Sequence, residues 1–298
     1  MTLFELELLV NGIITGVFYA LMAIGLSMIF GILKIVNFAH GEYYMVGAYA
    51  YTLFAAYSGL SPWLSLPVAV VAGAVIAVIM ERLLMRPLYQ GYTNWRMMKD
   101  EYAIIVTFGV SLFLMNLATQ VIGPEAHQGP ELLPRTRYFI GPILIGGHRL
   151  AAFGVAAAVL TLVLFFIRYT PQGQQIQAVA QNRFGASLAG INTARVSQWV
   201  FALSGGLAAL AGGLLSPMYL AHAMVGMMPS TKSYVIVVLG GMGSVAGSII
   251  GGLLLGVLEA FGAVYISYQY QDVFGFILLI LVLMFRPWGL FGERAREL

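Results

Sequence analysis

Long apolar runs separated by short polar segments extend over the whole chain. The runs approach the ~20 apolar residues that a helix needs to cross a bilayer, and they do not alternate with the period of two expected of a membrane barrel. The pattern therefore predicts an all-α integral membrane protein, a polytopic bundle of about eight transmembrane helices. The predicted spans are Leu6 to Leu33, His40 to Ser58, Trp63 to Leu83, Tyr102 to Ile122, Gly147 to Ile167, Val196 to Leu220, Gly247 to Tyr265 and Asp272 to Phe285.

Loop charge predicts the orientation of these spans, because cytoplasmic loops of membrane proteins carry an excess of lysine and arginine. We expect the N-terminus outside and the C-terminus in the cytoplasm. Arg135, Arg137 and Arg149 conflict with this orientation, since they fall in a loop placed outside, although long loops follow the rule less strictly. The residues that set the orientation are Arg82, Arg86, Arg96 and Lys99 in the third loop, Arg168, Arg183 and Arg195 in the fifth loop, and Arg286, Arg294 and Arg296 at the C-terminus.

This orientation requires an additional partial span between Arg195 and Arg286, because an odd number of crossings would leave the C-terminus on the wrong side. The stretch from Ser230 to Leu239 is the candidate, since it is about half a span long and glycines at positions 240, 241 and 243 end it. Non-helical backbone at membrane depth is tolerated where protein or a water-filled cavity surrounds it. We predict a broken or partial helix near residues 230–246.

Composition excludes several classes of protein. Hydrophobic residues make up 60% of the 298 residues and charged residues 9%, against about 25% charged in a soluble domain. We therefore expect residues 1–298 to form a single transmembrane domain. The chain has no cysteine, which excludes disulfides and thiolate metal sites.

The hexapeptide NFAHGE, residues 37–42, places polar side chains inside a hydrophobic run. An ionisable side chain at the bilayer centre costs roughly 2.5 to 3.5 kcal/mol, so such residues commonly line a cavity, a pathway or a helix interface. In one interpretation Asn37 caps the second span and Glu42 lies in its first turn. In the other, Asn37, His40, Gly41 and Glu42 line a substrate pathway or gate. No metal site is predicted, because His40 and Glu42 point to different faces of a helix.

Two further acidic residues lie in predicted spans. Glu259 has no cation near it in the sequence, so it is neutral, paired with Lys232, or paired with a partner subunit. Because buried charges at this depth commonly mark pathways, Glu259 is also a candidate pathway residue. Asp272 is predicted to cap the last span.

Glycines recur at helical spacing near the end of the chain. Small residues four positions apart let helix backbones approach closely in lipid, where packing replaces the hydrophobic effect. The pattern favours plain helix packing, and it is also compatible with helices that slide past one another near a pathway. The glycines are Gly243, Gly247, Gly251, Gly252 and Gly256, and Gly205, Ala209 and Gly213 repeat the pattern in the preceding span.

The fifth loop has the pattern of a short amphipathic helix at about residues 174–195. Ile176, Val179, Ala180 and Leu188 follow helical spacing. Helices that lie on lipid are usually rich in lysine and arginine on one face. This loop has few basic residues, so we expect it to dock into a partner protein.

Several segments resemble one family in the same order along the chain. They are GLSMIFGILKIVNFAHGEYYMVGAY at 25–49, MRPL at 85–88, TFGVSLFLMNLA at 107–118, AVAQN and LAGIN at 178–182 and 188–192, VVLGGMGSVAGSIIGG at 237–252 and RPWGLFG at 286–292. These segments resemble LivH-type permease subunits of bacterial ABC importers for branched-chain amino acids. Separated matches in the correct order are more specific than any single match.

The resemblance implies a permease that forms half of a translocation pathway in the bacterial inner (plasma) membrane. The implied partners are a second, LivM-like permease subunit or a second copy of the chain, two ATPase subunits that bind ATP and Mg²⁺, and an extracytoplasmic solute-binding protein. No cofactor or nucleic acid is expected on this chain. The implied substrates are branched-chain or other hydrophobic amino acids, with urea, short amides or aromatic acids as alternatives.

The resemblance also implies that the fifth loop is the coupling helix that fits a groove of the ATPase subunit. Family members place an acidic residue just after the asparagine of AVAQN, whereas Arg183 and Phe184 stand there in this chain. A charge-swapped or more apolar contact with the ATPase is therefore expected. The implied coupling residues are Ala180, Gln181, Asn182, Arg183 and Gly190.

Three other classes of protein stay open on the residues alone. A secondary transporter would use buried acids such as Glu42 and Glu259, but no inverted repeat is evident. An intramembrane enzyme would need converging catalytic groups, and the histidines are scattered. A passive solute channel would leave the docking loop unexplained. The chain lacks the GxxxxGK[ST] phosphate loop, so we expect no ATPase site and no enzymatic activity of its own.

Overall fold

A computed structural model shows a bundle of α-helices and describes residues 2–87, 99–133, 137–141 and 143–292. Within these ranges a π-helical turn, Glu81–Met85, continues α3, and a short 3₁₀ turn, Tyr268–Tyr270, precedes the last helix. Strands β1 (Arg137–Ile140) and β2 (Ile143–Gly146) form an antiparallel hairpin. The helices are α1 (Leu3–Leu33), α2 (His40–Ser58), α3 (Pro62–Met80), α4 (Lys99–Val121), α5 (Gly147–Tyr169), α6 (Pro171–Gln181), α7 (Arg183–Leu188), α8 (Thr193–Tyr219), α9 (Met227–Gly240), α10 (Val245–Tyr265) and α11 (Gln271–Phe285).

Seven helices in the described part of the chain are long and apolar enough to cross a membrane. They are α1, α3 with its π-helical turn, α4, α5, α8, α10, and α11 with the turn before it. The remaining predicted span, α2, forms a helix of 19 residues that is more polar and lies largely buried among its neighbours. The predicted all-α membrane fold is confirmed.

The predicted partial helix is α9, which has 14 residues. It ends at Gly240, after which Gly241 (φ 101°) and Gly243 (φ 91°) turn the chain toward α10. Both angles lie in the region that glycine adopts without steric cost. The chain after α11 closes this turn, because the Leu290 N–H donates to the Leu239 carbonyl (2.9 Å). The helix therefore ends at the glycines that the sequence analysis predicted would end it.

Close backbone contact joins α1 to α10. A Cβ added at Gly16 would lie 2.7 Å from the Leu253 Cα, and one added at Gly12 would lie 2.7 Å from the Val257 Cα. From the other side, a Cβ at Gly252 would lie 2.8 Å from the Ala20 backbone nitrogen. Real Cβ atoms do not approach other atoms this closely, so the two helices pack at a distance that only glycine permits.

The other glycines singled out in the sequence lie at further helix contacts. Gly256 packs on Gly12 and Gly16 of α1, and Gly243 lies beside Gly31. Gly247 meets Gly240 across the turn between α9 and α10. Gly251 faces Ile236, whose carbonyl oxygen would lie 3.2 Å from an added Cβ.

Helix α8 lies at the centre of the bundle and packs against α1, α2 and α3. Added Cβ atoms at Gly47 of α2 and at Gly73 of α3 would both overlap α8, the first on the Ala209 backbone and the second on the Ala209 Cβ. Gly205 of α8 faces Gly73 in turn, and Gly213 lies against Tyr51. The small residues of α8 thus let two helices approach it at once.

The basic residues of the third loop that the structure describes lie at the end of the bundle where α1 ends. The Lys99 ammonium donates to the Leu33 carbonyl, and the Tyr102 hydroxyl donates to the Leu84 carbonyl (3.1 Å). Arg149 lies toward the other end, where its guanidinium donates to the Thr15 hydroxyl (3.3 Å). Arg96, Arg135, Arg294 and Arg296 lie outside the described residues.

The contact between α2 and α8 gives a stability prediction. We expect Gly47→Ala to lower the free energy of unfolding by about 1–3 kcal/mol, because the new methyl group would overlap the Ala209 backbone. Thermal or denaturant unfolding of the purified protein in detergent measures the change.

Gly154→Ala is the matched control, since Gly154 lies in α5 with nothing within 4 Å of an added Cβ. Alanine should leave stability unchanged there or raise it by up to about 1 kcal/mol, because it is the better helix former. Equal effects of the two substitutions would contradict the packing argument.

Candidate functional site

The chain is not helical between α1 and α2, and this break lies inside the bundle. Lys34 ends α1 in the left-handed region (φ 57°), and residues 34–37 have no regular structure. The break returns the chain to the level of Met22, about three helical turns before the end of α1. Irregular backbone at such depth needs hydrogen-bond partners from the protein. The Phe38 N–H finds one in the Thr107 hydroxyl of α4 (3.1 Å).

Asn37 supplies several of the remaining hydrogen bonds of the break. Its side-chain oxygen accepts from the Ala39 N–H (3.1 Å), and its amide donates to the Tyr43 hydroxyl (3.3 Å). Its backbone carbonyl accepts from the Tyr234 hydroxyl of α9 (2.6 Å). Asn37 is fully buried. The capping interpretation needs correction, because Ala39 is the residue at the N-cap of α2 and makes no side-chain cap.

His40 is a fully buried link between three helices. One ring nitrogen, Nε2, lies 3.0 Å from the Met22 carbonyl of α1, and Nδ1 lies 3.4 Å from the Ser204 hydroxyl of α8. A carbonyl only accepts, so Nε2 carries a proton and donates it to the Met22 carbonyl. Both ring nitrogens are thus used within the chain. Among the residues that the structure describes, no three His, Cys, Asp or Glu side chains converge as metal ligands.

A second break precedes α9 and meets the first. Residues 220–226 are not helical, and the Ala221 N–H and carbonyl exchange hydrogen bonds with His127 (2.7 and 2.9 Å). An added Cβ at Gly41 would lie 2.6 Å from the Gly226 carbonyl oxygen, and one at Gly226 would overlap the Gly41 carbonyl. The N-termini of α2 and α9 therefore meet inside the bundle, and each needs glycine at the contact.

Glu42 lies in the first turn of α2 and faces α4. The Ser111 hydroxyl donates to Glu42 Oε1 (2.8 Å). Glu42 is 5% exposed, and its second oxygen, Oε2, has no hydrogen-bond partner within the described residues. A buried acceptor without a partner costs free energy, so this carboxyl is the unsatisfied group of the break.

Buried Glu259 belongs to a separate polar cluster with Tyr19, Lys232 and Asp272, which joins α1, α9, α10 and α11. The Lys232 ammonium lies 2.7 Å from Glu259 Oε2 and 2.8 Å from Asp272 Oδ1. The Tyr19 hydroxyl donates to Glu259 Oε2 (2.7 Å) and accepts from Lys232 (2.8 Å). Three alternatives were open for Glu259: a neutral carboxyl, a pair with Lys232, or a pair with a partner subunit. The structure shows the pair with Lys232. Asp272 does not cap the last span, because Tyr270 occupies the N-cap and the Asp272 carboxylate is drawn to Lys232.

The predicted coupling helix is two short helices, α6 and α7, in place of one. Asn182 breaks it with extended backbone (φ −150°), and its side chain accepts from the Gly185 N–H (2.8 Å) to cap α7. We call residues 171–190 the docking segment. Ile176 and Val179 face the bundle, whereas Phe184 and Leu188 are 72% and 74% exposed. The helical spacing predicts that Leu188 lies on the same apolar face as Ile176 and Val179. In the structure Leu188 is exposed, because the break at Asn182 changes the direction of the second helix.

Charged and polar side chains lie between the docking segment and the bundle. The Arg183 guanidinium lies 3.5 Å from the Ser197 hydroxyl at the start of α8. Burial lowers the pKa of Arg183, and the nearby Glu81 carboxylate opposes that effect. Glu81 lies in the π-helical turn after α3, with Arg86 Nε 3.8 Å from its Oε1. Arg183 therefore turns toward α3 and α8.

Gln198 extends this charged group. With its side-chain oxygen facing the arginines, it accepts from Arg82 Nε (2.6 Å) and Arg86 Nη2 (2.9 Å).

Close backbone packing also attaches the docking segment to the bundle, because a Cβ at Gly173 would overlap the Phe166 carbonyl oxygen at the end of α5. The first helix of the docking segment is thus packed directly on the bundle. Of the remaining coupling candidates, Ala180 is half-buried, Gln181 is exposed, and Gly190 follows α7 with a φ of 83°.

Sequence reasoning missed the neutral partners of the two breaks. Thr107, Ser111 and Tyr234 are common residues within apolar helices, and nothing local marks them as partners of a segment far away in the chain. Glu81 could have been found, because it is an acid near the end of an apolar span and has arginines close by in the sequence. Buried acids of this kind usually have a partner.

The comparisons with known proteins agree with this architecture. The family described as "Branched-chain amino acid transport system / permease component" matches residues 8–283. The chain is 37% identical to the high-affinity branched-chain amino acid transport system permease protein LivH of Escherichia coli (strain K12), over 99% of this chain and 98% of that protein. It is 36% identical to the corresponding permease protein BraD of Pseudomonas aeruginosa, over 98% and 97% of the two chains.

A more distant similarity links the chain to the permease protein LivM of Escherichia coli (strain K12), at 24% identity over 91% of this chain and 67% of that protein. The family match and the two closer relatives both extend over nearly the whole bundle, including both helix breaks. The chain therefore belongs to the family of permease components of branched-chain amino acid transport systems.

Proposed function

We propose that this chain is the permease subunit of an ATP-driven importer and forms half of the pathway for branched-chain or other hydrophobic amino acids. The observation that carries the proposal is the meeting of two helix breaks at Gly41 and Gly226 inside a bundle of membrane helices. In secondary transporters, substrate sites lie where discontinuous helices meet near the bilayer midplane, and the proposal extends that geometry to this permease. Membership in the permease family supports the same function.

The proposed assembly contains a second permease subunit. The distant similarity to a LivM protein supports a pair of related permeases, one LivH-like and one LivM-like, in preference to two copies of this chain. Two ATPase subunits would bind ATP and Mg²⁺, and an extracytoplasmic binding protein would deliver the solute. This chain would bind no cofactor of its own.

The proposed orientation has the N-terminus outside and the C-terminus in the cytoplasm of a bacterial inner membrane. Lys99 lies at the Leu33 end of the bundle, and the Arg82 and Arg86 side chains lie beside Gln198 near the start of α8. Grouping of loop charges on one side is what the charge rule expects of a cytoplasmic face. Arg149, near the N-terminal half of α1, would lie toward the outside.

Transport of labelled leucine tests the proposal. Cells that contain this chain with its partner subunits should take up leucine, and valine or isoleucine should compete while urea does not. Depletion of ATP should abolish the uptake, because the energy comes from the ATPase subunits. ATP-dependent uptake of urea or an amide would change the substrate, and uptake independent of ATP would overturn the importer proposal.

The docking segment is the proposed contact with the ATPase. Its exposed apolar side chains, Phe184 and Leu188, are four residues apart on one helical face and would be buried by a partner. Arg183 is turned toward the bundle and would position the segment. The contact would thus be more apolar than the acidic contact of related permeases.

We expect Phe184→Ser with Leu188→Ser to reduce recovery of the ATPase subunit with the permease by at least about 10-fold, because each buried apolar side chain is worth about 1.5–3 kcal/mol. Affinity purification of a tagged permease, followed by quantification of the ATPase, measures the loss. Gln175→Ala, an exposed change on α6, is the control and should leave recovery unchanged. Full recovery with the double variant would place the ATPase contact elsewhere.

His40→Ala should reduce transport through loss of structure and leave substrate preference unchanged. The substitution removes the links to Met22 and Ser204, and we expect a loss of about 1–3 kcal/mol in unfolding free energy. Parallel unfolding and uptake measurements check this, with Gln175→Ala, an exposed change on α6, as the control. A switch in the preferred amino acid would mean that His40 contacts the substrate.

A further inference from the structure

Glu81 is a fully buried carboxylate in the π-helical turn that continues α3. The next two residues, Arg82 and Leu83, are exposed, so the turn directs Glu81 into the protein and its neighbours outward. Single π-helical turns inside α-helices are frequent at functional sites. Acidic side chains are almost never fully buried unless they are paired. The partners of Glu81 therefore show which parts of the molecule it connects.

The groups around Glu81 come from three segments of the chain. Its own helix supplies Arg86, whose Nε lies 3.8 Å from Glu81 Oε1, too far for a hydrogen bond. Helix α8 supplies Gln198, whose amide donates to the Glu81 carboxylate when its oxygen faces the arginines. The docking segment supplies Arg183, whose positive charge acts favourably on the same carboxylate. Glu81 thus links α3 to α8 and to the docking segment.

Arg183 has a second contact, with the start of α8. Its guanidinium lies 3.5 Å from the Ser197 hydroxyl. Asn182, directly before Arg183, breaks the docking segment and caps α7. Arg183 is therefore the first residue of the helix that carries the exposed Phe184 and Leu188. A partner that binds these two apolar side chains acts on the same short helix.

A displacement of Arg183 would change the surroundings of a carboxylate that water does not reach. Glu81 is 0% exposed, so solvent cannot replace a lost positive charge as it would at the surface. Removing one partner of a buried charge is strongly unfavourable, because the remaining charge is left uncompensated. The Glu81 carboxylate keeps its surroundings only if α3 and α8 move together with the docking segment.

We propose that Glu81 is a positioning residue for transport, which acts through Arg183 and Gln198 to make α3 and α8 follow the docking segment when the ATPase moves it. The inference rests on the proposed function and adds the place where the motion enters the bundle. Helix α8 also contacts His40, at the end of the first helix break, through the Ser204 hydroxyl (3.4 Å). The helix that receives the motion is thus bonded to the candidate pathway.

The ratio of leucine transported to ATP hydrolysed tests this role, measured in proteoliposomes that contain the permease pair, the ATPase subunits and the binding protein. Glu81→Gln keeps the size of the side chain and removes its charge. We expect it to lower the ratio at least about 5-fold, the lower end of typical coupling between sites, while ATP hydrolysis persists. Arg183→Gln should have the same effect, whereas Arg183→Lys, which keeps the charge, should retain most of the ratio. Glu101→Gln, an exposed carboxylate at the start of α4, is the matched control and should leave the ratio unchanged.

A double variant distinguishes one shared interaction from two separate effects. If Glu81 and Arg183 act as a unit, the protein with Glu81→Gln and Arg183→Gln should have no lower ratio than the more impaired single variant. Independent contributions would multiply the two losses and would overturn the proposed link between these side chains.

The melting temperature and the recovery of the ATPase with each variant complete the test. A fall in hydrolysis and uptake by the same factor, or loss of the ATPase from the complex, would make Glu81 a structural residue only. If Glu81→Gln protein does not fold, Arg183→Gln decides, because Arg183 is only half-buried. An unchanged ratio in folded Arg183→Gln protein would overturn the inference and keep the importer. Absence of ATP-dependent leucine uptake by the wild-type assembly would instead remove the importer.

Discussion

Contact between helix backbones is the constraint on which this structure depends. In lipid, apolar side chains gain little by leaving one apolar surface for another, so helices associate through close packing and buried polar contacts. Gly16 and Gly252 bring α1 against α10, and Gly47 and Gly73 bring α2 and α3 against α8. The short distance between these helices is also what lets His40 reach the backbone of α1 and the hydroxyl of Ser204 at the same time. The packing therefore determines the buried hydrogen bonds.

The two helix breaks are possible because the surrounding helices satisfy their backbones. Thr107 and Tyr234 bond to the first break, and His127 pairs with Ala221 in the second. Each unsatisfied backbone group in a bilayer costs several kcal/mol. Non-helical backbone at that depth therefore requires these hydrogen-bond partners. Helix α4 illustrates the arrangement. Most of its surface is exposed, and its hydroxyl groups rather than a broad apolar face attach it to the break.

Hydropathy and the positions of helix-ending glycines are sufficient to predict the helices of the bundle. The sequence predicts α2 despite its polar residues because the segment contains few charged residues, and it predicts the partial helix because glycines at 240, 241 and 243 end it. The break at Asn182 and the position of Asp272 were not predictable. Asn182 sits in a segment with continuous helical spacing, and capping of α7 becomes visible only once the fold brings α6 against the end of α5. Asp272 looks like a cap locally, but a lysine far away in the chain attracts it.

Charge placement also restricts how the docking segment moves. The Arg183 guanidinium is half-buried, and it has the Ser197 hydroxyl and the charge of Glu81 near it. Moving Arg183 away would take one positive charge from the surroundings of the buried Glu81 carboxylate, which is unfavourable. Packing at Gly173 adds a second attachment, because its backbone lies directly on Phe166. A displacement of Phe184 and Leu188 by a partner protein would therefore carry Arg183 with it and be transmitted to α3 and α8. Helix α8 also packs closely against α2, since an added Cβ at Gly47 would overlap the Ala209 backbone, so the docking segment and the first helix break contact the same helix.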